Sequence, residues 1–507
     1  MNDDILEYWN FAGEADCHFL CSNNFSFIVT RKKTTSYMKD QRAENEPEWA
    51  DAVPFFYQPD KRCIYRVPNK LRKVNEAAYT PQLISIGPFH HGKPELKDME
   101  NHKRIYCENF FTGTLKSKEE LKSFIRDRQG KILSCYAGTI NQGDNFDFSE
   151  VILVDALFII QLFMMDSENP ENDYHILRSR WLRKAVEQDL ILLENQLPYF
   201  LLQDLYNFAM PVSCFYPRSE VQAQEQDNRQ QRCFDLDKIC YCLPCRGRSH
   251  LKDHSVLTVE AAESVHPFLK LTCEFFNRYS KGKSVRNGVT IKHFTDLVRH
   301  FLCPAEEMTW VDTPIKNIYD ARKLKAAGVN FRLLKEVGFV IKGDESHDCN
   351  FNLACFTSMD LKLTLFCVKD ETECVVRNVM ALEQFQYPDS AYICEYFLFM
   401  DKLVDTVEDV NLLIESGILV NKIGCNETVA NLINKLCVQI MDDVSCYGGV
   451  CGQLNKHYGI SFWNRHVAIL KGVYFKDLWT GSSTILGLFV LVFSIIGTMK
   501  SLEHNLI

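Results

Sequence analysis

A chain of 507 residues with 46% hydrophobic and 24% charged residues can bury a substantial core, and its net charge of −9 offers a polyanion no attraction, so nucleic acid is not an expected partner. Its 21 cysteines follow no regular short spacing, and no charged-then-apolar signal segment opens the sequence. The thiols are therefore expected in a reducing compartment rather than in a disulfide framework.

Residues 1–46 show no sustained period and read as a poorly ordered leader. From 47 to 477 the pattern suits one large body with a polar insertion at about 215–255. Between Ile64 and Gly92 prolines recur at 68, 81, 88 and 94, which forbids a long helix and favours extended segments, with a short strand expected at Leu83 to Ile86. His90 and His91 follow in a Pro/Gly-bounded loop, and a helix is expected to begin near Glu95. On it, Glu100 and Arg104 have the spacing of a surface ion pair. The same stretch admits a second reading, in which His90 or His91 joins Glu100 and His102 in an acid–base or metal cluster, since imidazole and carboxylate are the groups such chemistry uses.

VILVDALFIIQLFMM, within 146–165, holds only Asp155 and Gln161 as polar residues and reads as a buried core helix, too short and too interrupted to be a span. It is expected to pack against the next landmark, DLILLENQLPYFLL from Asp189 to Leu202. There Glu194, Asn195 and Gln196 stand together in an otherwise apolar run. Pro198 lacks an N–H and its ring crowds the Glu194 carbonyl, so a helix arriving from Trp181 is expected to end or kink here. A buried break frees carbonyls. Asn195 and Gln196 can donate to them, while Glu194 can accept N–H groups or meet a cation, which makes Asp189, Glu194, Asn195, Gln196 and Pro198 a structural motif. A catalytic Glu194 is the competing reading.

The segment RSEVQAQEQDNRQQR is too polar to pack, and it leads to Cys240, Cys242, Cys245, His250 and His254 in a C-x-C-x2-C-x4-H-x3-H array. These ligand types suit zinc, but the spacing departs from paired C-x2-C and H-x3-H units; free thiols, with no bound metal, are the expectation. Helical spacing then runs through VEAAESVHPFLKLTCEFFNRY, KHFTDLVRHFL and IYDARKLKAAGVNFRLLKEVG. LKLTLFCV alternates as a strand, and Asp370 with Glu373 has the spacing of a capped helix start. Further helices are expected at Tyr392 to Leu403, at Val407 to Glu415 with Gly417 as the stop, and from Asn426 to Met441.

Leu478 to Met499 is 22 residues without a charge. At 1.5 Å per residue it extends roughly 33 Å, enough for a hydrocarbon core of about 30 Å. A single transmembrane helix is expected at 478–499, followed by a short tail at 500–507, with the lipid bilayer as partner. Arg465, Lys471 and Lys476 before it, against Lys500 after it, place the large domain in the cytosol. The fold class is thus predominantly α-helical with a minor β element.

The words DLILLENQLPYFLLQDLY, IYRVPNKLRKVNEAAYTPQLISIGPFHHG and MENHK resemble the plant membrane-associated proteins grouped as domain of unknown function 247, or uncharacterised protein family 0481. The resemblance begins near Glu48 and Trp49 and continues through KHFTDLVRHFLCP, DARKLKAAGVNFR, RNVMALEQFQY, FMDKLVDTVEDVNLLIESGI and the C-terminal apolar segment. It departs at Ala156-Leu157, where the family pattern carries Gly-Cys. The resemblance implies no established biochemical activity, and some members are linked to pollen–stigma self-incompatibility in grasses. No H-E-x-x-H, G-x-S-x-G, P-loop or dinucleotide motif is present, so no cofactor is expected. Two function classes stand: a membrane-tethered recognition, signalling or scaffold component acting through an unknown protein partner, and a membrane-tethered hydrolase using His90/Glu100/His102 or Glu194.

Overall fold

Helix formation here follows from short-range chemistry that the chain supplies repeatedly. Ser117 and Glu120 close a reciprocal capping box at the start of Lys118–Leu133, Ser179 caps Arg180–Asp189, and Thr406 with Asp409 caps Val407–Glu415. The computed structural model describes residues 61–140, 146–168, 175–210, 266–285, 289–310, 315, 318–343, 358–441, 445–462, 464–468 and 478–504. The expected leader, the insertion and the array of Cys240, Cys242, Cys245, His250 and His254 lie outside them. The described chain is predominantly α-helical, with few and short strands.

The helix Phe148–Glu168 is the axis of the first half, and its asparagine-free, almost continuously apolar sequence leaves it no solvent face. It is packed by Lys97–Gly113, Lys118–Leu133, Tyr199–Ala209 and Pro267–Phe275. Phe163 alone meets the rings of Phe268, Phe275, Phe276 and Phe294. In the second half Thr372–Gln386 takes the same role, packed by Phe294–Leu302, Tyr392–Leu403 and Asn426–Leu436. One contiguous apolar cluster spans both halves. At about 25 cal/mol per Å² of apolar surface removed from water, this burial is the main stabilising term.

The β content is local. Ile64–Tyr65 pairs in parallel with Tyr136–Ala137, Val329–Leu334 pairs in parallel with Met359–Thr364, whose other edge takes Ile341–Lys342, and Phe366–Val368 pairs in parallel with Leu419–Asn421. The expected strand LKLTLFCV is therefore divided at Leu365 between two sheets.

Several boundaries differ from the sequence pattern. Helical spacing through VNFRLL is overturned: the helix Ala321–Ala326 stops, Gly328 turns at φ +93, and Val329–Leu334 becomes a strand. The helix from Asn426 ends at Leu436 rather than Met441. Glu371, not Asp370, precedes Thr372–Gln386, and the Thr372 hydroxyl accepts the Lys369 N–H at 2.8 Å in place of a capping box. The helix entering from Trp181 ends at Asp189, nine residues before Pro198, which instead precedes the first turn of Tyr199–Ala209.

Candidate functional site

Residues 82–87 belong to no helix or strand, so their backbone groups need partners from elsewhere. Side chains supply them. The Asp189 carboxylate accepts the N–H groups of Gln82 (3.0 Å), Leu83 (2.7 Å) and Ile84 (2.9 Å). Asn195 Oδ1 accepts from Ile86 at 2.7 Å while its amide donates to the Ile84 and Asp189 carbonyls, both at 2.9 Å. Asp155 Oδ2 accepts from Gly87 at 2.8 Å, and Lys103 Nζ donates to the Ser85 carbonyl. The strand expected at Leu83 to Ile86 does not form; side chains take the N–H groups that a neighbouring strand would have taken.

The polar triplet divides its work. Gln196 Nε2 donates to the carbonyls of Leu190 (2.5 Å) and Leu192 (2.8 Å), the latter also accepting the Asn195 N–H at 2.9 Å, and its Oε1 accepts the Phe294 N–H at 2.9 Å. Asn195 holds the extended segment. Glu194 Oε1 accepts from Val67 N–H and Arg72 Nη2, each at 2.5 Å, and Oε2 lies 3.2 Å from His90 Nε2. Burial pushes the Glu194 carboxyl up, but His90, Arg72 and the Val67 N–H outweigh it and hold the group below the ordinary carboxylate value. Burial holds the His90 ring below its usual value against the pull of Glu194. The pair at neutral pH is a carboxylate beside a neutral imidazole. Neither His90 nitrogen has a well-formed hydrogen bond, and each residue is 3% exposed, so the pair faces protein rather than solvent.

The sequence-derived candidates are thus redistributed. His90 meets Glu194, His91 is exposed against the Phe146 ring, and His102 is half-buried on Lys97–Gly113. Glu100 pairs with Lys103 at 2.7 Å rather than with Arg104. Lys103, wholly buried, also reaches Asp155 at 2.7 Å; burial alone would lower its ammonium, but Asp155 and Glu100 raise it above the ordinary lysine value. Among the described residues no group of three His, Cys, Asp or Glu side chains is placed to share a metal ion.

Sequence reasoning missed Arg72, which has no local signal, and Lys103, which had one. Lys103 falls on the face that buries Met99, Tyr106, Cys107 and Phe110, so a cation stands where the helical period puts an apolar residue. It also missed Asn378, whose Oδ1 accepts the Leu193 N–H at 2.9 Å and whose amide donates to the Ala78 carbonyl at 2.7 Å. The arrangement ties five separate stretches of chain, at Val67, Ile84, Tyr136, Phe294 and Asn378, to the 189–198 turn.

A family described as plant protein of unknown function matches residues 64–493. The chain is 24% identical to the UPF0481 protein At3g47200 of Arabidopsis thaliana, an alignment covering 86% of this chain and 85% of the relative. It is 21% identical to the putative UPF0481 protein At3g02645 of the same plant, over 82% of this chain and 85% of the relative. No solved structure matches it.

Proposed function

The chain belongs to this plant family of unknown function, and we propose that this member is a membrane-tethered recognition or scaffold component, anchored by its C-terminal helix with the large body in the cytosol. One contrast carries the reading. Among the described residues two helices are long and apolar enough to cross a bilayer, and they are equally apolar: 78% of the apolar stretch in Phe148–Glu168 is buried inside the protein, whereas 0% of Ser482–Met499 is. The first has its apolar solvent in the fold. The second presents Leu486, Leu488, Phe489, Val490 and Phe493 with more than half of each side chain uncovered, a surface far beyond the few hundred Å² that a water-soluble protein usually exposes. Lipid is the environment that removes it from water.

Recognition rather than turnover is supported by the state of the polar centre. Glu194 is buried and committed to the Val67 N–H and Arg72, with His90 buried beside it, so the centre serves the fold, and the body is left to act through its surface. Arg465, Lys471 and Lys476 precede the span and support the cytosolic side for the body.

The test is carbonate extraction of membranes carrying the full chain or a chain ending at Asp477, with protease protection of the former. The full chain should stay in the membrane with its body digestible from the cytosolic side, and the shortened one should be released. A shortened chain that stays in carbonate-washed membranes would overturn the single anchor, and a protected body would reverse the orientation. Proximity labelling from the anchored protein then names its protein partner.

A further inference from the structure

We propose that Cys63 and Cys135 form a hydroperoxide-sensitive thiol pair that closes to a reversible disulfide between the two strands feeding the Glu194 centre. The geometry is carried by the backbone. Ile64 is paired with Tyr136 and Tyr65 with Ala137 in parallel strands, and Cys63 and Cys135 immediately precede them. The Cys63 N–H donates to the Cys135 carbonyl at 2.9 Å, as does that of Ile64. That contact keeps the two residues within the Cα separation of about 4.4–6.8 Å that a disulfide spans without backbone movement. Both side chains are buried, at 6% and 7% exposure. Both thiols are free, and both lie in the same buried apolar cluster.

One thiol of the pair ionises and attacks one oxygen of the hydroperoxide, the O–O bond breaks, and water (or an alcohol) leaves to give a sulfenic acid on that cysteine. The other cysteine then transfers its proton to the departing hydroxyl, the S–S bond forms, and a water leaves. Two thiols are oxidised as one hydroperoxide is reduced, and dithiol exchange reverses the step.

The position gives the bond a consequence. Val67, whose N–H sits on Glu194, follows the first strand, and Tyr136, whose hydroxyl donates to the Gln196 carbonyl at 2.9 Å, begins the second. A disulfide here joins residues that are 72 positions apart, each immediately before one of the two strands that lead to the polar centre.

The experiment treats the folded full-length protein in detergent with hydrogen peroxide, alkylates the remaining thiols, and maps the non-reduced digest by mass spectrometry. Expected are a peptide carrying Cys63 joined to one carrying Cys135, loss of alkylation at both, and a rise in Tm that dithiothreitol reverses. With either Cys63→Ser or Cys135→Ser the joined peptide and the rise in Tm should both be lost. If both cysteines remain fully alkylated after oxidation of protein whose circular dichroism is native, the pair does not close and the proposal is overturned. Mapping of the unsubstituted protein decides this even where a serine variant fails to fold.

Discussion

The Asp189 carboxylate stands to Ile84 as a neighbouring strand would: it accepts the Ile84 N–H at 2.9 Å, and with it those of Leu83 and Gln82. Asp189→Asn keeps the shape but aims amide hydrogens at N–H groups. It should cost about 1–3 kcal/mol of stability, the penalty of stranding a buried donor. Burial pushes the Asp189 carboxyl up to about 6 although three N–H groups favour its charged form. A raised folded-state value means that its contribution is fully present below the unfolded value and fades as pH rises through about 6. Urea midpoints of the two proteins should therefore converge as pH is raised from 4 to 7; midpoints that diverge would reverse this assignment.

Glu194→Gln should show the opposite sign. The folded-state value is held below the ordinary 4.5, so the stability this carboxylate supplies is present above 4.5 and is lost as pH falls through the lower folded value. The variant should be less stable at pH 7 by about 1–3 kcal/mol, the cost of an unpaired buried group. That gap should close in acid. Calorimetry at pH 7 and pH 4 reads both; an unchanged Tm at pH 7 would mean that Val67, Arg72 and His90 find other partners.

Lys103→Met leaves the Asp155 carboxylate buried without its cation, which should cost about 3–5 kcal/mol. Lys103→Met with Asp155→Leu removes both charges, and although the Gly87 N–H then lacks its acceptor, the double variant should recover part of the loss. Denaturant curves of the two single variants and the double variant form the cycle. Strict additivity would show that the pair is not coupled.

Gly87 sits at φ +72, and a Cβ there would lie 2.5 Å from the Gln196 carbonyl oxygen and 3.1 Å from the Tyr136 hydroxyl. Both neighbours are fixed, one by backbone and one by its own hydrogen bond to that carbonyl. Gly87→Ala should destabilise by about 1–3 kcal/mol through backbone strain, with the close contact added. A melting point equal to that of the unsubstituted protein would show that the 82–90 segment can retreat.

The two apolar helices should separate under the same substitution. Arginine at Val490 should weaken membrane insertion by about 2.5–3.5 kcal/mol and leave the melting of the body unchanged. Arginine at Ile159, wholly buried within Phe148–Glu168, should unfold the body while carbonate extraction still finds the chain in the membrane. Loss of membrane attachment with Ile159→Arg would assign anchoring to the wrong helix.

The sequence alone determined what depends on near neighbours along the chain. The 3.6-residue period located Lys97–Gly113, Tyr392–Leu403 and Val407–Glu415, the absence of charge marked 478–499, and the cluster of Glu194, Asn195 and Gln196 in an apolar run announced buried polar partners. Tertiary structure decided who those partners are. Glu194 reaches back 127 residues to Val67, Lys103 reaches 52 forward to Asp155, and Leu193 reaches 185 forward to Asn378. Nothing within one turn of any of them encodes the match. The same holds for VNFRLL, whose helical spacing yields to strand because Met359–Thr364 lies beside it, and for residues 82–87, whose backbone N–H groups are met by side chains instead of a strand. A periodic pattern fixes which face is buried, since burial follows from local spacing. Which group answers a buried charge or a bare N–H is fixed only when the chain closes on itself, because that choice is a contact between segments far apart in sequence.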